Sequence, residues 1–250
     1  MTAVLAELRA ARGVFRSLRI YYGDRRRRAA MDRLYRRFVD PGDLVFDIGA
    51  HVGDRVGAFR RLGARVVAVE PQPLLAKTLR WLYGRDRFVT IEPAAVGRRE
   101  GELLLRVNPD NPTVTTASED FIRAATAAAG WKNERWTQRV AVPVTTLDAL
   151  IARYGTPAFI KIDVEGYEAE ALEGLTRAVA ALSFEFTTIQ RDIAKTCVER
   201  CAALGFPRFN AAIGESQTLV FDDWRKSDEI ATFLAELPAA ANSGDIYALA

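Results

Sequence analysis

The sequence predicts an α/β domain: a mostly parallel sheet of seven strands with helices on both faces. Three observations carry this. From Leu44 onward, short apolar runs alternate with segments of helical periodicity, the pattern of strands joined by crossover helices. Leu44, Val45, Phe46 and Ile48 form one such run, the mark of a strand buried on both faces. A glycine turn then leads straight into the helical repeat Val52, Val56, Phe59, Leu62. At 250 residues and 49% hydrophobic content, the chain suffices for one domain with a full core.

Residues 1–40 read as an Arg-rich helical segment, and residues 41–250 as the domain proper. In the first segment Val4, Leu8, Ala11, Phe15 and Leu18 recur at helical spacing, with Gly13 weakening the pattern. The run Arg25 to Arg28 reads as an exposed helix start leading into Met31, Leu34, Tyr35 and Phe38, and Pro41-Gly42 punctuates entry to the first strand. A second strand, Arg65 to Val69, ends in Glu70, and a helix follows with Leu74, Leu75, Thr78, Leu79 and Leu82 on one face. Phe88 to Ile91 is the third strand, and Ala94 to Val96 a loop. Gly101 to Val107 and Arg139 to Val144 are strands flanking Asn108 to Gln138, a long polar insertion. Trp131 and Trp136 within it favour a substrate lid over a solvated loop. Strands at Ala158–Asp163 and Ala180–Phe186, a helix at Ile193–Leu204, strands at Phe206–Ala211 and Thr218–Phe221 and a helix at Ser227–Leu237 complete the pattern.

Charge is divided unevenly. Residues 1–40 hold eleven arginines and four acids, so this segment carries +7 while the rest of the chain carries −4. A nucleic-acid enzyme would more often place basic residues around its cleft, so a nucleic-acid partner is not expected. The basic helix reads first as a solvated face packed on the domain. A peripheral membrane contact through it is the sharper alternative. No apolar run is long enough to span a membrane, and Arg9, Arg12, Arg16 and Arg19 interrupt any signal-peptide core. Cys197 and Cys201 share one helix face, and the single histidine, His51, lies far from them, so a zinc site is not expected and a cytoplasmic setting is the default.

The chemistry concentrates in LVFDIGAHVGD, Leu44 to Asp54, together with Glu70. An acid at the tip of the second strand can accept hydrogen bonds from both hydroxyls of a ribose. The turn Gly49-Ala50-His51-Val52-Gly53 is not the three-glycine turn of dinucleotide sites, because His51 takes the position where a pyrophosphate would sit. Asp47, two residues before Gly49, repels phosphate but suits the ammonium of a cofactor with an amino-acid tail. The ordered set of Asp47, the small turn residues and Glu70 points to S-adenosylmethionine.

A second segment, Val144 to Leu175, contains TLD, a short helix, then FIKIDVEG and an acidic helix. With the D-x-G-A-x-x-G turn upstream and SGDIYA (Ser243 to Ala248) as a last strand, it resembles the FkbM-type methyltransferases. That resemblance implies a Rossmann-like class I methyltransferase with an antiparallel last strand. It also implies S-adenosylmethionine-dependent O-methylation of a small-molecule, sugar or glycan hydroxyl. Pro71 and Ala95 join Asp47, Gly49, Ala50, His51, Gly53 and Glu70 as expected cofactor residues, the Ala94–Val96 loop lying against the adenine in the family.

Lys161 stands in a strand expected to be buried on both faces, on the same face as Phe159 and Asp163. An isolated buried charge is too costly, so Lys161 must pair with Asp163 or with Glu185 on the next strand. Asp163 and Glu165 are the general-base candidates, with Lys161 tuning them. Asp163 as a turn or cofactor ligand and Glu165 as a helix start are equally open readings. His51 reads as structural before it reads as a base. A magnesium site on Asp163 and Glu165 lacks a third clear carboxylate in the sequence, so no metal is expected. The rival functions are a nucleic-acid methyltransferase using the basic segment as a phosphate clamp, and a catalytically silent cofactor-binding scaffold. Oligomeric state is not legible.

Overall fold

The computed structural model describes residues 2–250; the side chains of residues 2–10 and of Ala129 lie outside the described residues, and with them the stripe positions Val4 and Leu8. Helices α1 (Thr2–Gly23) and α2 (Arg25–Tyr35) precede β1 (Leu44–Ile48), α3 (Asp54–Arg61), β2 (Arg65–Val69), α4 (Pro73–Tyr83) and β3 (Val89–Glu92). Then come β4 (Ala95–Val96), β5 (Gly101–Val107), α5 (Glu119–Ala127), β6 (Gln138–Thr145), α6 (Leu147–Tyr154), β7 (Phe159–Ile162) and α7 (Glu168–Glu173). The chain continues with β8 (Ala181–Thr187), α8 (Arg191–Leu204), β9 (Arg208–Ile213), α9 (Ser227–Glu236) and β10 (Ser243–Leu249).

Seven strands form the main sheet in the order β3-β2-β1-β7-β8-β10-β9. All its pairings are parallel except those of β10, which runs antiparallel to both β8 and β9. The order reverses between β1 and β7, and open α/β sheets place ligands in the crevice outside the strand ends at such a point. One face is covered by α6, α7, α8 and α9, whose Leu147, Leu172, Cys197, Cys201 and Leu234 pack on Phe46, Ile48, Ile160 and Phe184. On the other face Met31, Leu34 and Tyr35 of α2, Phe59 of α3 and Leu79 of α4 cover Val45, Phe159 and Tyr247.

Four differences from the sequence reading have physical causes. Ala95 and Val96 are not loop. They form β4, paired parallel to β6, and with β5 they make a separate three-stranded sheet. Thr218–Phe221 is not a strand. Asn210 occupies the pairing groups there, its side chain accepting from Phe221 N at 3.2 Å and donating to Phe221 O at 2.8 Å. On α1 the inward residues are Val14, Ser17, Leu18 and Tyr21, while Ala11 is exposed and Phe15 is 69% exposed. Arg27 leaves the solvated run to bond Asp54 at 2.9 Å and Glu215 at 2.8 Å beneath the Tyr21 ring.

Gly13 explains the shifted face of α1. A Cβ there would stand 2.7 Å from Pro112 Cδ and 3.0 Å from Pro109 O, so the helix seats its glycine on the insertion. The insertion itself is folded. Phe121 of α5 is fully buried, with Trp131 and Trp136 edge-on to it at 5.3 and 6.3 Å. Trp136 Nε1 donates to Val114 O at 2.7 Å. Gly13→Leu should therefore overpack this contact and cost about 1–3 kcal/mol of stability, with Gly13→Ala costing less, as read by urea denaturation.

Candidate active site

The turn after β1 is built by close approach. Gly49 has φ +80°, and a Cβ on it would lie 1.8 Å from the carbonyl oxygen of Asp163. Gly49 N and Ala50 N both donate to Val69 O, at 2.9 and 3.0 Å, and Asp163 N donates to Ile48 O at 2.9 Å. Three strand ends are thus tied together around a cleft. One end is apolar, walled by Val69, Leu75, Ala94, Ala95, Val96 and Leu105. The other end is acidic, walled by Asp54, Asp163, Glu165, Glu185 and Glu215, with Arg55 among them.

Glu70 is part of the cleft wall. Its Oε2 accepts from His51 N at 2.9 Å and its Oε1 from Gln72 N at 2.8 Å, which fixes the carboxylate while leaving lone pairs free. Burial pushes its carboxyl up to about 7 against those two donors. Asp47 is 1% exposed and neither of its oxygens has a hydrogen-bond partner. Burial likewise pushes it up to about 7. It sits under the turn and does not reach the cleft wall.

The buried strand lysine finds its partners. Lys161 has no exposure; its Nζ donates to Asp245 Oδ1 at 2.8 Å and Asp163 Oδ2 at 3.3 Å. Glu185, the other expected partner, is not bonded to it. The reason is sheet order: β8 lies between β7 and β10, its residue in register with Lys161 is the small Ser183, and the ammonium reaches across to Asp245. Burial works against the ammonium, but the two carboxylates outweigh it and hold Lys161 charged. Burial also opposes the Asp163 anion, yet Lys161 and Arg55 bring its carboxyl down to about 2.

Glu165 and Glu185 behave oppositely. Burial, then the neighbouring Asp163 charge, pushes both carboxyls well above the ordinary range. One oxygen from each of Asp163, Glu165 and Glu185 lies within 4.8 Å of the others. The third carboxylate missing from the sequence argument thus comes from Glu185 on β8. Glu165 has φ +54° and Gly166 φ +86°. A left-handed non-glycine residue costs about 1–2 kcal/mol, so its surroundings must hold it there.

Among the expected cofactor residues, Gly49, Ala50, His51, Glu70, Pro71 and Ala95 line the cleft, while Asp47 and Gly53 do not. Gly53 instead serves packing, since a Cβ there would meet Leu79 Cδ2 and Tyr83 Cε2 at 2.7 Å. His51 lies edge-on to Tyr21 at 5.4 Å, and burial lowers it to about 4, leaving it neutral and a poor base. Sequence reasoning missed Tyr21, Arg55, Thr115 and Glu215 in the wall, and Asp245 beneath it.

The Methyltransferase FkbM domain family matches residues 47–236. The chain belongs to this family. It is a methyltransferase that uses S-adenosylmethionine. Comparison with curated proteins finds no match. The fold is similar to that of a TehB-like SAM-dependent methyltransferase from Corynebacterium glutamicum, at 13% identity and TM-score 0.51, covering 99% of this chain and 98% of that one. A precorrin-6y C5,15-methyltransferase from Geobacter metallireducens gives 12% identity and TM-score 0.46 over 88% and 86% of the two chains. The FkbM match begins at Asp47 and includes the Gly49 turn, Glu70 and the Lys161–Glu165 segment.

The residues present fit this cofactor. Glu70 offers a fixed carboxylate in the cleft wall, the apolar wall residues suit a base, and the unpartnered Asp47 carboxyl lies behind the turn. The turn N–H groups of Gly49, Ala50 and His51 are already donated and so are not available to an anion.

Replacing Lys161 by Met should leave the buried Asp245 without its cation and Asp163 with Arg55 alone. The expected loss is about 3–5 kcal/mol at pH 7 by urea denaturation. Asp163 titrates at about 2 in the fold and near 3.9 unfolded, so its contribution is full above about pH 4 and vanishes as pH falls toward 2. Lys161→Met should flatten the stability profile in that window.

Proposed function

We propose that this enzyme methylates a hydroxyl oxygen of an uncharged small-molecule, sugar or glycan acceptor. The observation that carries the reading is the convergence of Asp163, Glu165 and Glu185 at the acidic end of the cleft. Bound S-adenosylmethionine supplies an electrophilic methyl group. The chain must align an acceptor oxygen and take its proton. Alignment is worth several kcal/mol and a positioned base a factor of about a hundred to ten thousand.

Asp163, held ionised by Lys161 and Arg55, is a weak base but a good orienting acceptor for a hydroxyl. Glu165 is the better base. Its raised carboxyl releases its proton as positive charge enters the cleft, and once ionised it is more basic than an ordinary carboxylate. Glu185 shares the negative charge of the cluster. This division parallels other sites in which paired carboxyls are driven apart in proton affinity.

The acidic wall also favours an uncharged acceptor over nucleic acid, whose phosphates it repels. A divalent ion on the three carboxylates is a second reading. Lys161 and Arg55 already balance Asp163, so proton holding is the one we adopt.

Transfer of radiolabelled methyl to a panel of neutral glycosides, polyols and phenols, with matched sugar phosphates and RNA, tests this. Label on a neutral hydroxyl is expected; preference for phosphates or RNA contradicts it. Glu165→Gln should lower kcat by about a hundredfold or more and remove an acid limb lying above the ordinary carboxylate range. Turnover should persist in EDTA, and its loss would establish the metal reading. Retained cofactor binding with no turnover on any acceptor would favour a silent scaffold.

A further inference from the structure

The insertion between β5 and β6 touches the catalytic loop at one buried hydroxyl. Thr116 is 1% exposed, and its Oγ1 donates to the backbone carbonyl of Glu165 at 2.7 Å. The same oxygen accepts from Ser118 N at 2.8 Å, so the hydroxyl is held from both its donor and its acceptor side. The backbone of Thr116 is pinned to β5 by a reciprocal pair with Arg106, at 2.8 and 3.1 Å. The hydroxyl is therefore a fixed post rather than a mobile contact.

The carbonyl it holds belongs to the residue in the left-handed conformation. Phe121 closes the same loop from above: a Cβ on Gly166 would lie 2.8 Å from its ring and its Cβ. From below, Glu168 Oε1 accepts from Val164 N at 3.0 Å and Gly166 N at 3.2 Å. Of these supports, only Thr116 bonds the backbone of Glu165 itself. Its neighbours Thr115 and Ala117 line the cleft, so one short segment both walls the site and sets the acid.

We infer that Thr116 is a positioning residue that fixes the Glu165 carboxyl in the acidic cluster and makes the insertion a working part of the active site. The assignment rests on the reading of Glu165 as base. Removing the hydroxyl frees the Glu165 carbonyl, lets the loop relax from its left-handed turn and carries the carboxyl out of reach of Asp163 and Glu185.

Hydrogen exchange on the full chain with S-adenosylhomocysteine bound, for wild type, Thr116→Val and Thr116→Ser, tests the clamp without an acceptor. In Thr116→Val the Val164 and Gly166 amides should exchange about tenfold faster while amides of α5 and β6 keep their rates, and Thr116→Ser should behave as wild type. In the same variant the Glu165 carboxyl, followed by carbon NMR, should titrate closer to an ordinary glutamate. Unchanged loop exchange, or equal acceleration across residues 108–138, would overturn the assignment. On an acceptor that the wild type methylates, Thr116→Val should lower kcat, leave KM for S-adenosylmethionine unchanged and add nothing in a Glu165→Gln background. An equal factor in that background would also overturn it. Full turnover by Glu165→Gln alone would instead refute the base, with the exchange rates still deciding the clamp.

Discussion

An ammonium with no exposure to water lies at the carboxyl edge of the sheet, between Asp245 of the last strand and Asp163 at the end of β7. Such a group is tolerable only if its charge is met at close range, because the interior cannot solvate it. Its row in the sheet shows how the fold arranges that. Asp47, Lys161, Ser183 and Tyr247 lie in register on four neighbouring strands. Ser183 is small enough for Lys161 to cross above it to Asp245, and the Tyr247 and Phe38 rings stack beyond it at 5.3 Å. The antiparallel placement of β10 next to β8 is what puts Asp245 within reach.

From this pair follows the grading of the carboxylates. Lys161 and Arg55 neutralise Asp163 and keep it ionised, while burial first and that fixed charge second hold protons on Glu165 and Glu185. Asp47 behind the turn and Glu70 in the cleft wall are also raised mainly by burial. The result is a site whose apolar end is neutral and whose acidic end stores protons beside a permanent anion. That polarity suits a positively charged cofactor and a hydroxyl acceptor more than it suits any phosphate.

The sequence made legible what local periodicity controls. The β1–α3–β2 unit, Glu70 at its tip, the burial of Lys161 and the shared helix face of Cys197 and Cys201 are all consequences of period and residue type within one segment. What it hid depends on strand order and on contacts between distant segments. Asp245 as the lysine's main partner required knowing that β10 lies beside β8. Gly53 looked like a ligand turn but is a packing contact under Tyr83. Phe15 fitted the apolar stripe and Val14 did not, but the seat of Gly13 on Pro112 turns Val14 inward and leaves Phe15 exposed. Glu185 was legible at the strand end beside Asp163, but as a partner for Lys161 rather than as the third acid of the cluster. The second sheet was hidden because β4 is two residues long.

If Glu70 and the Gly49 turn form one cofactor cradle, S-adenosylhomocysteine affinity depends on Glu70. Calorimetric titration with S-adenosylhomocysteine, with NAD as control and Glu70→Ala alongside, tests this most directly. The account predicts micromolar binding of S-adenosylhomocysteine, no binding of NAD, and loss in the variant of about tenfold or more, the worth of a buried hydrogen-bonded carboxylate. Wild-type affinity in Glu70→Ala, or tighter binding of NAD, would contradict it.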